Sequence, residues 1–349
     1  MKKKAISLAL QGGGALGAYT WGALDRLLED ERLEIKAVSG SSAGAMCAVV
    51  LADGLHDGPE AARAKLRQFW EGVAQAGRSN PYRRTPLMAF LSAFQPAWLQ
   101  QNYAALWAGM TSQVASPYDL NPLNLNPLRE MLNELVDFER VRACSQLQLF
   151  IGATNVETGR IRIFRTNELT ADHVMASACL PQLFQAVEID GAPYWDGGYA
   201  GNPALFPLFD VQETADIVIV QIHPIEREGT PRSAADIAAR ETEITFNASL
   251  LAELRAIDFV ARLMDQQKLP EGRYRKMLIH NLSEGTALTP LGTGVVLNTD
   301  LSFFGELFAT GRAAAEAWLA EHFDALGARS TVDLAAMFRR APEGGAPLR

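Results

Sequence analysis

The chain has 349 residues and a formal net charge of −8, which argues against nucleic acid as the main partner and against strong attraction to anionic membranes. Hydrophobic residues make up 48% and charged residues 21% of the sequence, proportions typical of a globular protein with a sizeable core. Three cysteines in apolar segments predict reduced thiols rather than a disulfide framework, and therefore a cytoplasmic protein.

The first predicted unit is a strand, a glycine-rich loop and a helix. An apolar run at 5–10 is followed by Gln11-Gly12-Gly13-Gly14-Ala15-Leu16-Gly17 and then by a helical pattern at 18–29. Consecutive glycines can present backbone N–H groups to an oxyanion, because no side chains shield them. The spacing of Gly12, Gly14 and Gly17 also fits G-x-G-x-x-G, so a dinucleotide-binding oxidoreductase built on Gly12–Gly17 is the competing interpretation.

The second unit carries the pattern G-x-S-x-G, as Gly40-Ser41-Ser42-Ala43-Gly44, between an apolar run at 35–38 and a helix-like run at 45–51. A sharp strand-to-helix turn of this kind exposes its central serine in a strained conformation. The pattern therefore predicts Ser42 as a nucleophile. Both glycine turns should lie at the carboxyl ends of neighbouring parallel strands, where open α/β sheets carry their sites, and this favours the oxyanion interpretation.

The composition changes between 77 and 130, where prolines and aromatic residues become frequent. We expect an inserted cap of short helices and loops over the site. The segment from 78 to 110 combines an apolar stretch with Arg78, Arg83 and Arg84, and it suggests transient contact with a membrane surface. Ordinary core packing under a long loop is the alternative interpretation.

The second half of the chain alternates strand and helix patterns around one further turn, Asp196-Gly197-Gly198. The turn follows a predicted strand, so its carboxylate can be brought beside another loop. An ordinary Asx-type turn is the alternative interpretation. Strands are predicted at 147–155, 160–165, 187–189, 193–195, 216–222 and 276–281, and helices at 170–179, 233–264 and 303–326, with a disordered tail at 341–349.

Three elements in this order resemble the patatin-like phospholipase family: the glycine loop, the serine turn and the Asp-Gly-Gly turn. The resemblance covers about residues 4–222. It implies a three-layer α/β/α fold with a mostly parallel central sheet. The change in composition and the helical patterns of the sequence, rather than the resemblance, predict a cap insertion at about 77–130 and a helical C-terminal part at about 233–340. We expect residues 1–340 to form a single domain.

The resemblance also implies hydrolysis of lipid acyl esters without a metal or a cofactor. Ser42 carries over as the nucleophile and Asp196 as its base partner, with an oxyanion hole at Gly12, Gly13 and Gly14. The supporting glycines of the motifs are Gly17, Gly40, Gly44, Gly197 and Gly198. The family often has Arg or Lys where this chain has Leu16, which weakens the expectation of a phospholipid over a neutral ester.

Other interpretations stay open at this point. The order Ser42, Asp196, His223 is that of an α/β-hydrolase triad, so a Ser-Asp-His esterase using His223 is one alternative. An acyltransferase built on the same serine turn is another. The substrate should be an acyl lipid or ester, and any protein activator is unknown from the sequence.

Overall fold

A computed structural model describes residues 3–79, 116–270, 273–283 and 298–339. Within these ranges eight strands form one sheet. They are β1 Lys4–Leu10, β2 Leu33–Gly40, β3 Gln148–Asn155, β4 Ile161–Arg165, β5 Val187–Ile189, β6 Ala192–Asp196, β7 Asp216–Val220 and β8 Leu278–Leu282. The α-helices are α1 Gly17–Glu29, α2 Ala43–Leu55, α3 Pro59–Ser79, α4 Pro117–Leu120, α5 Pro127–Leu135, α6 Phe138–Arg142, α7 Ala171–Ser177, α8 Ala234–Asp265, α9 Leu301–His322 and α10 Leu334–Arg339.

The sheet is mostly parallel. Its order is β5-β6-β3-β2-β1-β7-β8, with β4 paired to β3 off this path. The run from β3 to β8 is parallel throughout, whereas β4, β5 and β6 pair antiparallel to their neighbours. The near-continuous apolar sequences of β1 and β7 are those of strands that are buried on both faces.

Helices cover both faces of this sheet. On one face Leu8, Val38 and Ile151 belong to a core that includes side chains of α1, α2, α3 and α9. On the other face Ala9 and Phe150 pack with side chains of α8 and α10. The alternation along β1 follows from the strand period of two residues. The predicted α/β/α layering with a mostly parallel sheet is confirmed.

The C-terminal helices pack on this core. Helix α9 crosses α1 so closely that a Cβ atom on Gly22 would overlap the backbone of Phe308, and one on Gly311 would overlap the backbone of Tyr19. Strand β8 extends the parallel sheet beyond β7. The prediction of a helical C-terminal part is confirmed, and that of one domain over 1–340 stays a prediction.

The predicted cap is described only at its two ends. Helix α3 runs to Ser79, and α4 and α5 follow from Pro117. Residues 80–115, which hold most of the 78–110 segment proposed for membrane contact, lie outside the described residues, as does the predicted tail at 341–349. No helix in the described ranges has the length and hydropathy needed to cross a membrane.

Candidate active site

Ser42 lies at the turn between β2 and α2, in the strained conformation that the motif predicts. Its φ is 54° and its ψ is −124°, in the left-handed region that residues with a Cβ rarely adopt. The Ser42 N–H donates to Ser177 O at 3.2 Å and to Ser177 Oγ at 3.0 Å. The end of α7 therefore holds the turn, and the half-buried Ser42 side chain projects at the N-terminus of α2.

Asp196 reaches this turn because of the sheet register. The pairing of β2 with β3 ends where Gly40 lies opposite Ile151. The pairing of β6 with β3 begins two residues further along β3, where Asp196 lies opposite Ala153. Ala153 also pairs with β4, so β6 must occupy the same edge of β3 as β2 does. Asp196 thus lies just beyond the end of β2, where Ser42 begins the next helix.

The Asp196 carboxyl is almost fully buried, with 1% of the residue exposed. Burial raises its pKa from 3.8 to about 6, against the hydrogen bonds from the Gly198 N–H and from the Ser42 side chain, which lower it. The Gly198 N–H donates to Oδ1 at 2.7 Å. Asp196 Oδ2 has no partner of good hydrogen-bond geometry among the described residues. The hydrogen bond between Ser42 and Asp196 is therefore not fully formed, as is common in an active site without substrate.

The glycine loop lies against the serine turn. A Cβ atom on Gly12 would come within 2.7 Å of both Ser41 O and Ser42 Cβ, so only glycine allows this approach. Gly14 has a φ of 56°, a conformation that glycine adopts without strain. The structure therefore brings together Ser42, Asp196 and the loop that the sequence placed far apart.

The three loop glycines differ in whether their N–H groups have a hydrogen-bond acceptor. The Gly12 N–H donates to Asn202 Oδ1 at 2.7 Å. In the described part of the chain, no residue accepts a hydrogen bond from the N–H of Gly13 or Gly14. Gly13 is buried, and a buried N–H without an acceptor is rare in folded proteins. Gly13 and Gly14 are thus the loop donors that are free to bind a ligand oxygen.

His223 contacts the glycine loop rather than the serine turn. Its Nε2 lies 3.0 Å from Gly12 O, and because a carbonyl oxygen can only accept, Nε2 carries the proton. Burial lowers the His223 pKa from 6.5 to about 4, against the hydrogen bond to Gly12, which raises it. Within the described ranges His223 makes no hydrogen bond to Ser42 or Asp196.

A buried amide network that the sequence did not predict surrounds this contact. Gln11 Oε1 accepts from the Ile222 and His223 N–H groups at 2.8 Å each, and Gln11 Nε2 donates to Asn247 Oδ1 at 2.8 Å. Asn247 Nδ2 in turn donates to His223 O at 3.2 Å. Helix α8 therefore supports the glycine loop from outside the region of family resemblance.

The supporting glycines permit close packing. A Cβ on Gly40 would lie 2.7 Å from Gly44 O, and one on Gly17 would lie 2.6 Å from Ala43 Cβ. A Cβ on Gly198 would lie 2.8 Å from the Phe246 ring, and those on Gly44 and Gly197 would overlap backbone. Leu16, where the family often has Arg or Lys, is buried in the core with 6% exposure.

No metal-binding group is found in this part of the molecule. In residues 3–79, 116–270, 273–283 and 298–339, no three His, Cys, Asp or Glu side chains are close enough to hold an ion together. The described site contains a serine hydroxyl, a buried carboxyl and two backbone N–H groups that have no acceptor among the described residues.

Comparison with known proteins gives a family match. A family model described as "Patatin-like phospholipase" matches residues 8–209, more than half of the 349 residues. The match includes the glycine loop, Ser42 and Asp196. No curated protein matches the sequence.

Three solved structures resemble the chain at low identity. VipD from Legionella pneumophila is 18% identical, with a TM-score of 0.43 over 92% of this chain and 67% of VipD. The type III effector ExoU is 16% identical, with a TM-score of 0.37 over 92% of this chain and 53% of ExoU. ExoU in its complex with SpcU, from the type III secretion system of Pseudomonas aeruginosa, is 17% identical, with a TM-score of 0.33 over 93% of this chain and 60% of that one.

Proposed function

The chain belongs to the patatin-like phospholipase family and is therefore a carboxylic ester hydrolase of acyl lipids, and on this premise we propose that Ser42 and Asp196 act as its catalytic dyad. Ser42 is the nucleophile and the Asp196 carboxylate is the base. The N–H groups of Gly13 and Gly14 form the oxyanion hole, with Gly12 supplying the close approach to Ser42 rather than a donor. The substrate is a phospholipid or a related acyl ester.

The acylation step uses all of these groups. Asp196 takes the proton from Ser42 Oγ, and Oγ attacks the ester carbonyl carbon, whose oxygen becomes negatively charged. The free N–H groups of Gly13 and Gly14 stabilise this oxyanion, together with the N-terminus of α2. As the C–O bond to the alcohol breaks, Asp196 returns the proton to the leaving oxygen, and the acyl group stays on Ser42.

Deacylation repeats the sequence with water. The Asp196 carboxylate takes a proton from water, the resulting hydroxide attacks the acyl carbonyl, and the same N–H groups bind the second oxyanion. The fatty acid leaves as the proton returns to Ser42 Oγ. An alcohol acceptor in place of water would give acyl transfer by the same route.

The observation that carries the proposal is the pairing of a strained serine with a buried carboxyl. An aspartate with a pKa near 4 is a weak base for a serine hydroxyl. Burial raises the Asp196 pKa to about 6, and the carboxylate that remains ionised at neutral pH is correspondingly more basic. The His223 ring donates through Nε2 to Gly12 O and makes no described hydrogen bond to Ser42 or Asp196. This arrangement favours the dyad over the Ser-Asp-His alternative.

The proposal is tested by hydrolysis of acyl esters with paired variants. Wild type, Ser42→Ala and Asp196→Asn are assayed on phosphatidylcholine vesicles, phosphatidylglycerol vesicles and a soluble p-nitrophenyl acyl ester. We expect each variant to lose at least about 10³ in kcat without a fall in its thermal midpoint. Undiminished hydrolysis by Ser42→Ala would show that another nucleophile is at work.

The type of reaction, hydrolysis or acyl transfer, is tested in the same assay. Products are separated in the presence and absence of an added lysophospholipid or glycerol acceptor. Release of free fatty acid under both conditions supports hydrolysis. Predominant formation of a new acyl ester with the acceptor would instead identify the chain as an acyltransferase.

A further inference from the structure

His223 is a buried side chain for which the proposed dyad has no chemical use. It is 4% exposed, it ends the segment after β7, and its ring lies 5.4 Å from that of Phe246 on α8. Its backbone is fixed by Gln11 Oε1 and by Asn247 Nδ2. The ring therefore has a defined position, with Nε2 at 3.0 Å from Gly12 O.

The hydrogen bond to Gly12 O sets the orientation of the peptide unit that follows. In a trans peptide the C=O of Gly12 and the N–H of Gly13 point in opposite directions. A donor that fixes the Gly12 C=O thus fixes the direction of the Gly13 N–H as well. Asn202 assists, because its Nδ2 donates to the same Gly12 O at 3.4 Å while its Oδ1 accepts from the Gly12 N–H at 2.7 Å.

The same hydrogen bond strengthens the Gly13 N–H as a donor. Hydrogen bonding at the oxygen of an amide polarises the whole amide group, so its N–H becomes a better donor on the opposite side. Gly13 is buried, and among the described residues its N–H has no acceptor. An N–H that is fixed, polarised and unoccupied is prepared for an oxygen that arrives with the substrate.

We propose that His223 is a positioning residue of the oxyanion hole, which as a neutral imidazole donates through Nε2 to Gly12 O and thereby aims and polarises the Gly13 N–H, with Asn202 as its partner. The inference rests on the proposed function of Ser42, Asp196 and the glycine loop. It assigns His223 to the stabilisation of the tetrahedral intermediate and not to the transfer of a proton.

The test compares two substitutions at His223, one with an N–H donor in the side chain and one without. His223→Gln places an amide N–H near the position of Nε2, whereas His223→Leu fills the site without any donor. We expect His223→Leu to lower kcat by about 10- to 100-fold, less than the 10²–10³ lost when an oxyanion donor is removed outright, with KM changed less than about threefold. His223→Gln should recover most of this loss.

The pH profile separates positioning from proton transfer. Both His223 variants should keep the fall in kcat on the acid side near pH 6, because that limb belongs to Asp196. Disappearance or movement of the limb in both variants would make His223 part of the proton-transfer system and overturn the inference. Equal, deep losses in His223→Gln and His223→Leu would overturn it as well.

A second variant covers the case in which His223→Leu does not fold. Asn202→Asp keeps an oxygen to accept from the Gly12 N–H but loses the donor to Gly12 O, and it should lower kcat without a comparable change in KM. Wild-type kcat in His223→Leu or in Asn202→Asp contradicts the inference. Ser42→Ala and Asp196→Asn are measured alongside. If these two variants remain active, the proposed function itself is contradicted. If they are inactive while the His223 and Asn202 variants hydrolyse the ester at the wild-type rate, only the positioning role is contradicted.

Discussion

At the scale of single residues, the site combines two features that cost stability. Ser42 occupies a left-handed conformation, and Asp196 is a carboxyl group buried with little compensation, since Oδ2 has no well-aligned partner among the described residues. Each feature is unfavourable for folding by itself. Both become intelligible if the strain exposes the serine and the burial raises the basicity of the carboxylate.

The pH dependence of hydrolysis should report on Asp196. Burial raises its pKa to about 6, and the base must be ionised to accept the Ser42 proton. We therefore expect kcat on a soluble ester to rise with pH through about 6 and to level off above it. The measurement is a kcat profile from pH 4.5 to 9 at constant ionic strength. A rate that does not fall between pH 7 and pH 5 would contradict this role.

The strain at Ser42 predicts a difference between two inactive variants. Ser42→Ala keeps a Cβ at φ 54°, whereas Ser42→Gly relieves the conflict between Cβ and backbone. We expect the glycine variant to be more stable than the alanine variant by about 1 kcal/mol, after the larger entropy of glycine in the unfolded chain is allowed for. Urea denaturation of the two proteins measures the difference, and a more stable alanine variant would contradict the strain.

The residues with a motif could be predicted from the sequence, and those without one could not. Ser42, Asp196 and the loop glycines stand in short patterns whose spacing carries meaning. Asn202 and Asn247 are single amides that contact the loop only through long-range folding. The dipeptide Asn202-Pro203 shortly after the Asp-Gly-Gly turn is the one local signal that could have drawn attention to Asn202.

At the scale of elements, the α1–α9 contact depends on two glycines. Alanine at Gly22 or Gly311 would place a methyl group against the backbone of the opposite helix, and we expect each substitution to destabilise the protein by about 1–3 kcal/mol or more. Gly305 is the matched control, because it lies on α9 with nothing within 4 Å of an added Cβ.

The stability of the control variant should change in the opposite direction. Gly305→Ala is expected to stabilise the protein by about 0.5–1 kcal/mol, since alanine is the better helix former. Thermal or urea unfolding of the three variants gives the comparison. If Gly22→Ala and Gly311→Ala match Gly305→Ala, the close helix contact is not required for the fold.

The elements themselves were accessible to sequence analysis, but the placement of β6 was not. Apolar runs predicted the strands to within a few residues. The pairing of Asp196 opposite Ala153 joins residues far apart in the chain, and no local pattern encodes the edge of β3 on which β6 lies. The family resemblance supplied the Ser42–Asp196 pairing that periodicity could not.

At the scale of the whole molecule, the last third of the chain supports the site. Strand β8 extends the sheet, α9 packs on α1, and α8 contributes Asn247 to the network below the glycine loop. We propose from these contacts that the described parts fold as one unit, although the family model ends at residue 209.

A shortened chain tests this proposal. A protein ending at residue 232 lacks α8, β8 and α9, so it would expose the apolar face of α1 and leave Gln11 without Asn247. We expect it to be insoluble or to unfold without cooperativity in a thermal scan, in contrast to the full chain. A soluble fragment with a cooperative transition and wild-type ester hydrolysis would contradict the proposal.

Active-site labelling tests whether Ser42 and Asp196 act as a catalytic dyad. Wild type, Ser42→Ala and Asp196→Asn are treated with a fluorophosphonate probe, with and without lipid vesicles, and the site of labelling is mapped by mass spectrometry of peptides. We expect one equivalent of label on Ser42 of the wild type, none in Ser42→Ala and at least about 10²-fold slower labelling of Asp196→Asn. Labelling that persists in Ser42→Ala, or that proceeds at the wild-type rate in Asp196→Asn, would contradict the Ser42–Asp196 dyad.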